Sequence, residues 1–263
     1  MDALVDKYSR VVRWGILGGE SGNTNLHKED MAYTHNKKRK SIIEDGVISH
    51  VNDYGLYVEH REIFLFPREE YAYGAEEEML EPGVEFTMAN QFIKSLRLLT
   101  NLSNKDPILI HLKTCGGDWG EGLAMYQAIK ACPNHITMLN YASARSMSSI
   151  ILCAADYRAM MPYSSFMIHT GTDALTGTGT QVETEWEEFQ KVNRIMYDIY
   201  LERLRESVKF EGWTDKKIEN LLRKKMKEKE EVYFTAEESL EWNWADTIFG
   251  ADGKYDWDSL TKG

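Results

Sequence analysis

The chain has 263 residues, long enough for one large domain or a domain with an appended arm. A formal charge of −11 excludes a dedicated nucleic-acid binder, because neutralising phosphates requires a net basic surface. Cys115, Cys132 and Cys153 form an odd, widely spaced set beside apolar segments, which suits a reducing compartment without disulfides.

Residues 1–45 carry little periodicity and read as an N-terminal arm. Their opening, MDALVDKYSR, has no basic start followed by an apolar stretch, so it is not a secretory signal. The basic cluster Asn36-Lys37-Lys38-Arg39-Lys40 reads as a solvated loop. No run approaches the ~18 apolar residues of a spanning helix, and a soluble, cytoplasmic protein without a membrane partner is expected.

From Tyr54 the texture changes. GLYVEHREIFLF is a β-rich run ending at Pro67, followed by an acidic loop around Glu76-Glu77-Glu78. Ala89, Phe92, Ile93, Leu96 and Leu99 fall at helical spacing, and after Pro107 comes ILIHL, a short continuous apolar run of the kind that forms a buried parallel strand. Helix and strand then alternate: Gly117–Ala131 helical, HITMLNY strand, Ser146–Tyr157 helical, SSFMIH strand. Such alternation predicts an α/β fold with right-handed crossovers around a mostly parallel sheet.

A Gly/Thr-rich connection, GTDALTGTGT, leads into a long helix with Val182, Trp186, Phe189, Val192, Met196 and Ile199 on one side. Thr180 and Glu183 have capping-box spacing at its start. A further helix follows Thr214. Thr235 and Glu238 repeat the capping signature in YFTAEESLEW, whose helix is expected to end near Asn243. The domain is therefore read as 46–250, with a polar, frayed tail over 251–263.

The chemistry lies in the loops after three strands. In parallel α/β folds the segments beyond the carboxyl ends of strands gather into one crevice. Here they are Lys113-Thr114-Cys115-Gly116-Gly117, Ala144-Arg145-Ser146-Met147 and His169. A serine early in a buried helix ordinarily caps it or fits a close helix contact, and Ser143, Ser148 and Ser149 are read that way. Ser146 differs because a glycine pair and a histidine converge with it. Acyl transfer needs this set: an imidazole to take the serine proton and return it to the leaving group, and fixed backbone N–H groups for the oxyanion. None of the seven histidines forms H-E-x-x-H and no Cys/His spacing suggests zinc, so no metal or other cofactor is expected. There is no G-x-S-x-G at Ser146, which excludes the α/β-hydrolase elbow.

Taken in order, these segments resemble the Clp protease proteolytic subunit (ClpP) family, including its divergent phage-type members. ILIHLKTCGGDWGEGLAMYQAI resembles the family's strand, glycine turn and helix. ASARSMSSIILCAAD resembles its nucleophile segment, and MPYSSFMIHT its histidine segment, within a match running from about Tyr57 to Phe249. The resemblance implies a spiral of β-α-β units with a protruding handle helix from Thr180. It makes Ser146 the nucleophile, His169 the general base, and Gly117 and Met147 the oxyanion-hole amides. It further implies endopeptidase action on extended polypeptide clamped beside GTDALTGTG. The assembly it implies is a homo-oligomer of stacked heptameric rings, with an AAA+ unfoldase as candidate partner, in the host cytoplasm if the chain is phage-encoded.

Departures are visible. Cys115 stands at the family's turn proline and Ser148 at the glycine after the nucleophile's methionine. Counting back from FTAEES puts Lys227 where the acid is expected. Glu228, Glu230 and Glu231 are the nearby acids; Glu228 is selected as the third member, with a Ser-His dyad as an alternative. At the level of function, a crotonase-type acyl-CoA enzyme and an inactive ClpP-like ring subunit remain alternatives.

Overall fold

In the computed structural model the described residues are 47–67, 83–171 and 176–261. The expected arm at 1–45, with its basic cluster, lies outside them, as do the acidic loop at 76–78 and residues 172–175 of the Gly/Thr-rich connection. Residues Val47–Gly263 form one unit.

The β-rich run beginning near Tyr54 is preceded by a short helix α1 (Val47–Tyr54) and resolves into an antiparallel pair, β1 (Leu56–Tyr57) and β2 (Glu62–Leu65). Helix α2 (Phe86–Leu102) begins at Glu85, whose carboxylate accepts the Thr87 and Met88 amides, and it buries Ala89, Phe92, Leu96 and Leu99 at the expected spacing. Strand β3 (Ile108–Leu112) is buried at every position, as a central parallel strand should be. Helix α3 (Trp119–Lys130), strand β4 (Ile136–Asn140), strand β5 (Ser143–Arg145), helix α4 (Met147–Cys153), strand β6 (Tyr157–Met160) and strand β7 (Ser165–Ile168) follow.

The long helix α5 (Gly179–Arg205) would extend about 40 Å at 1.5 Å per residue. None of its residues before Met196 is buried, whereas Met196, Tyr197, Ile199, Tyr200, Leu201 and Leu204 enter the core. Its first half is therefore the handle expected. The capping box sits at Thr178 and Gln181, two residues earlier than the Thr180 and Glu183 reading. Helix α6 (Asp215–Lys229) starts at Thr214; strand β8 (Val232–Thr235), helix α7 (Ala236–Glu241) and strand β9 (Thr247–Ile248) complete the order. Thr235 and Glu238 form the expected capping box.

Two sheets result. Six strands lie in the order β1-β2-β3-β4-β6-β9, parallel from β2 onward. The expectation of one parallel sheet fails for SSFMIH: β7 belongs to a separate sheet, β5-β7-β8, parallel to β5 and antiparallel to β8. Asn140 ties the two sheets, its Nδ2 donating to the Ser165 carbonyl at 3.0 Å. Arg158, 1% exposed, forks onto Asp246 through Nε at 2.8 Å and Nη2 at 2.7 Å, and Nη1 donates to the Asn243 carbonyl, pinning β6 to the turn before β9. The tail beyond residue 250, expected to be frayed, instead turns back: Leu260 is 2% exposed and clusters with Leu109, Leu139, Ala159 and Phe249. No described helix is long and apolar enough to cross a membrane.

Candidate active site

The three loops named from sequence do meet. After β5 the chain must turn at once into α4, and Ser146 takes the turn with φ 53° and ψ −124°. That is a conformation unfavourable for a residue with a Cβ. The turn is held on both sides: Ser146 N–H donates to the Met167 carbonyl at 3.2 Å, and the Ser146 carbonyl accepts from Ser149 N–H at 3.0 Å and from the Ser149 hydroxyl. The strain aims the Ser146 hydroxyl at the end of β7, where it hydrogen-bonds His169 Nε2 at 2.7 Å.

The other serines carry structure, as expected. Ser148 Oγ donates to the Thr114 carbonyl at 2.9 Å, and Ser149 Oγ meets the Tyr200 hydroxyl at 2.7 Å. Ser143 Oγ accepts from Ser165 Oγ at 2.8 Å.

The glycine pair follows β3. Gly116 has φ 103° and Gly117 φ 146°, both in the half of the map that favours glycine. A Cβ on Gly116 would lie 2.7 Å from Ser146 Cβ and 2.8 Å from the Arg145 carbonyl oxygen, so this loop rests directly on the serine turn. A Cβ on Gly117 would collide with the backbone of Val84, which pairs with it in an isolated parallel bridge. Neither the Gly117 amide nor the Met147 amide has a backbone acceptor among the described residues, and Met147 N–H belongs to the unsatisfied first turn of α4. The Met147 side chain fills the space above Gly122 of α3 and fixes that turn.

Burial lowers the pKa of His169 from its ordinary 6.5, while the charge of Glu231 raises it. The structure therefore brings Glu231, rather than the Glu228 selected from sequence, to bear on the imidazole. Glu228 lies on the last turn of α6, exposed, within 3.7 Å of Lys224. Lys227 is on the same solvated turn. The helix ends when Glu230 adopts φ 58°, and only then does the chain enter β8. Antiparallel pairing sets Ile168 against Val232, and one step further along that register His169 and Glu231 come abreast. Within β8 Val232 and Phe234 are buried, which leaves Tyr233 on the face shared with Glu231. Counting back from FTAEES to Lys227 overran β8 and entered the last turn of α6.

Comparison with known proteins places the chain in a family. The family model for Clp protease matches residues 73–252. The chain belongs to the Clp protease family. An ATP-dependent Clp protease proteolytic subunit of Deinococcus radiodurans is 29% identical over 168 residues, covering 63% of this chain and 76% of the relative. Membership of the Clp protease family decides against the crotonase reading and makes peptide-bond hydrolysis the family-level activity. All three loops of the site fall inside the Clp protease match, and so does Glu231.

Proposed function

We propose that this chain is a serine endopeptidase that cleaves unfolded or extended polypeptide within a chamber of stacked rings. The observation that carries the reading is the 2.7 Å contact between Ser146 Oγ and His169 Nε2 at a strained turn beside the Gly116-Gly117 pair. In the first step His169 takes the Ser146 proton as Oγ attacks the scissile carbonyl carbon. The resulting oxyanion is received by the Gly117 and Met147 amides; a donor of this kind contributes about 2.7–4 kcal/mol to barrier lowering. The imidazolium then protonates the leaving amine, the C–N bond breaks, and water repeats the sequence to release the acyl group from Ser146.

Glu231 stands in for the expected acid. Its charge favours the imidazolium that forms during attack, offsetting the burial that disfavours it. This removes the main ground for the inactive-subunit alternative, which rested on Lys227. The apolar stripe of the handle supports ring stacking: Trp186 is 52% exposed and stacks on Phe189 at 5.7 Å. The ATP-dependent designation of the Deinococcus relative supports an unfoldase partner. The test is hydrolysis of an unfolded polypeptide by the assembled protein. Turnover abolished by Ser146→Ala is expected, and turnover that survives it would overturn the assignment.

A further inference from the structure

The acid proposed above has a difficulty of its own. A glutamate has three side-chain torsions and Glu231 is exposed, so an untethered carboxylate would spread over several rotamers and face the imidazole only part of the time. The structure supplies a tether. Tyr233 stands two residues along β8, on the same face, and its hydroxyl donates to Glu231 Oε2 at 2.8 Å. The charge of Arg145 acts on the same hydroxyl, opposing the rise that Glu231 causes in its pKa. Arg145, Met167 and Tyr233 occupy one register row across β5, β7 and β8, so the arginine and tyrosine reach each other over the central strand. Arg145 immediately precedes Ser146. The serine meets His169 by a hydrogen bond, Glu231 lies one register step beyond the Ile168–Val232 pair beside that histidine, and Tyr233, which holds Glu231, shares its register row with Arg145 on the serine's own strand.

Resting on the serine-peptidase reading, we propose that Tyr233 and Arg145 are positioning residues that hold the Glu231 carboxylate toward His169, making a glutamate at the entry to β8 serve as the triad acid. One carboxylate oxygen is occupied by the tyrosine, which restricts rotation of the group beside the histidine's register position. The tyrosine is well suited: its ring has two torsions rather than three, and the Glu231 hydrogen bond raises its pKa, with Arg145 opposing, so the hydroxyl keeps the proton it donates. Glu228 has only a solvated contact with Lys224 one turn back on its own helix.

The test is the second-order rate at which a fluorophosphonate labels Ser146 in the full-length protein, followed across the titration range of an imidazole. Glu231→Gln is expected to slow labelling by roughly 10²- to 10⁴-fold and to move the acid limb to lower pH, since the charge that raises the His169 pKa is gone. Tyr233→Phe, which keeps the ring, is expected to slow labelling about tenfold and to move the limb in the same direction. The double variant should be no slower than Glu231→Gln alone, because the tyrosine acts only through the carboxylate. Glu228→Gln should label like the wild type. A merely structural role for Tyr233 would lower the melting temperature without moving the acid limb. Wild-type protein that takes no label at Ser146 would remove the serine-peptidase reading and this proposal with it. A labelled wild type with an indifferent Tyr233→Phe, additive losses in the double variant, or a collapse in Glu228→Gln would overturn the proposal alone.

Discussion

Replacing Ser146 by glycine should cost all peptidase activity and yet give a more stable fold than replacing it by alanine. The reason is the backbone at φ 53° and ψ −124°, which no Cβ-bearing residue adopts without strain of about 1–3 kcal/mol. Both variants lose the hydrogen bond to His169, so that term cancels between them. Glycine relieves the strain but orders a more flexible unfolded chain, at roughly 0.5–1 kcal/mol. Taking mid-range values, glycine should exceed alanine by about 1 kcal/mol, or about 3 °C in melting temperature for a domain of this size. The turn cannot escape by shifting, because Met167 and Ser149 hold Ser146 from both sides. The assay is thermal unfolding of the two variants side by side at one protein concentration, since assembly makes the transition concentration-dependent. A glycine variant no more stable than the alanine variant would refute the argument that this turn stores strain to present the hydroxyl.

Other consequences follow from the same geometry. Gly116→Ala places a Cβ 2.7 Å from Ser146 Cβ at φ 103°, and Ser146 labelling by a fluorophosphonate should fall more than about 10²-fold; near-normal labelling would contradict the close packing of the two loops. The imidazole is neutral, and able to accept a proton, above its pKa. With that value lowered by burial and only partly restored by Glu231, the acid limb of kcat/KM should lie below pH 6.5, and a limb above it would contradict the placement of His169. Asp246→Ala leaves the Arg158 charge buried without its partner and should cost about 3 kcal/mol by guanidinium titration, the low end for a buried pair because Asp246 is partly exposed; a loss under about 1 kcal/mol would contradict this. Burial pushes the Cys153 thiol up to about 11, against the pull of Arg158 and Arg203, so it should resist thiol reagents until the protein unfolds.

What could be read from sequence divides along physical lines. ILIHL was legible as a strand because its neighbours cover both faces, forcing a continuous apolar run. Thr235 and Glu238 were legible because capping chemistry is local. The cap of α5 was misplaced because GTGTQVE offers two threonines with a Glu or Gln three residues on, and the box that closes uses Thr178. Strand β6 was missed, its first residue, Tyr157, reading as the end of the preceding helix; the break is at Asp156, whose carboxylate accepts the Ile136 amide. Strands β5 and β8 are three and four residues long, too short for periodicity to register. That omission hid the second sheet, and with it the nearness of Glu231 to His169. The convergence of Ser146, His169 and the glycine pair was legible because strand ends define a crevice in any parallel fold. Glu231 could be found only by knowing which strand lies beside β7.

The account turns on a hydroxyl, an imidazole and two amides converging on one reacting carbonyl. The most direct test is a crystal structure of the assembled protein after reaction with a peptidyl phosphonate. The account predicts phosphorus bonded to Ser146 Oγ, with a phosphoryl oxygen about 2.7–3.1 Å from the Gly117 and Met147 nitrogens. An adduct at another residue, or one on Ser146 whose oxygen faces away from both amides, would contradict it.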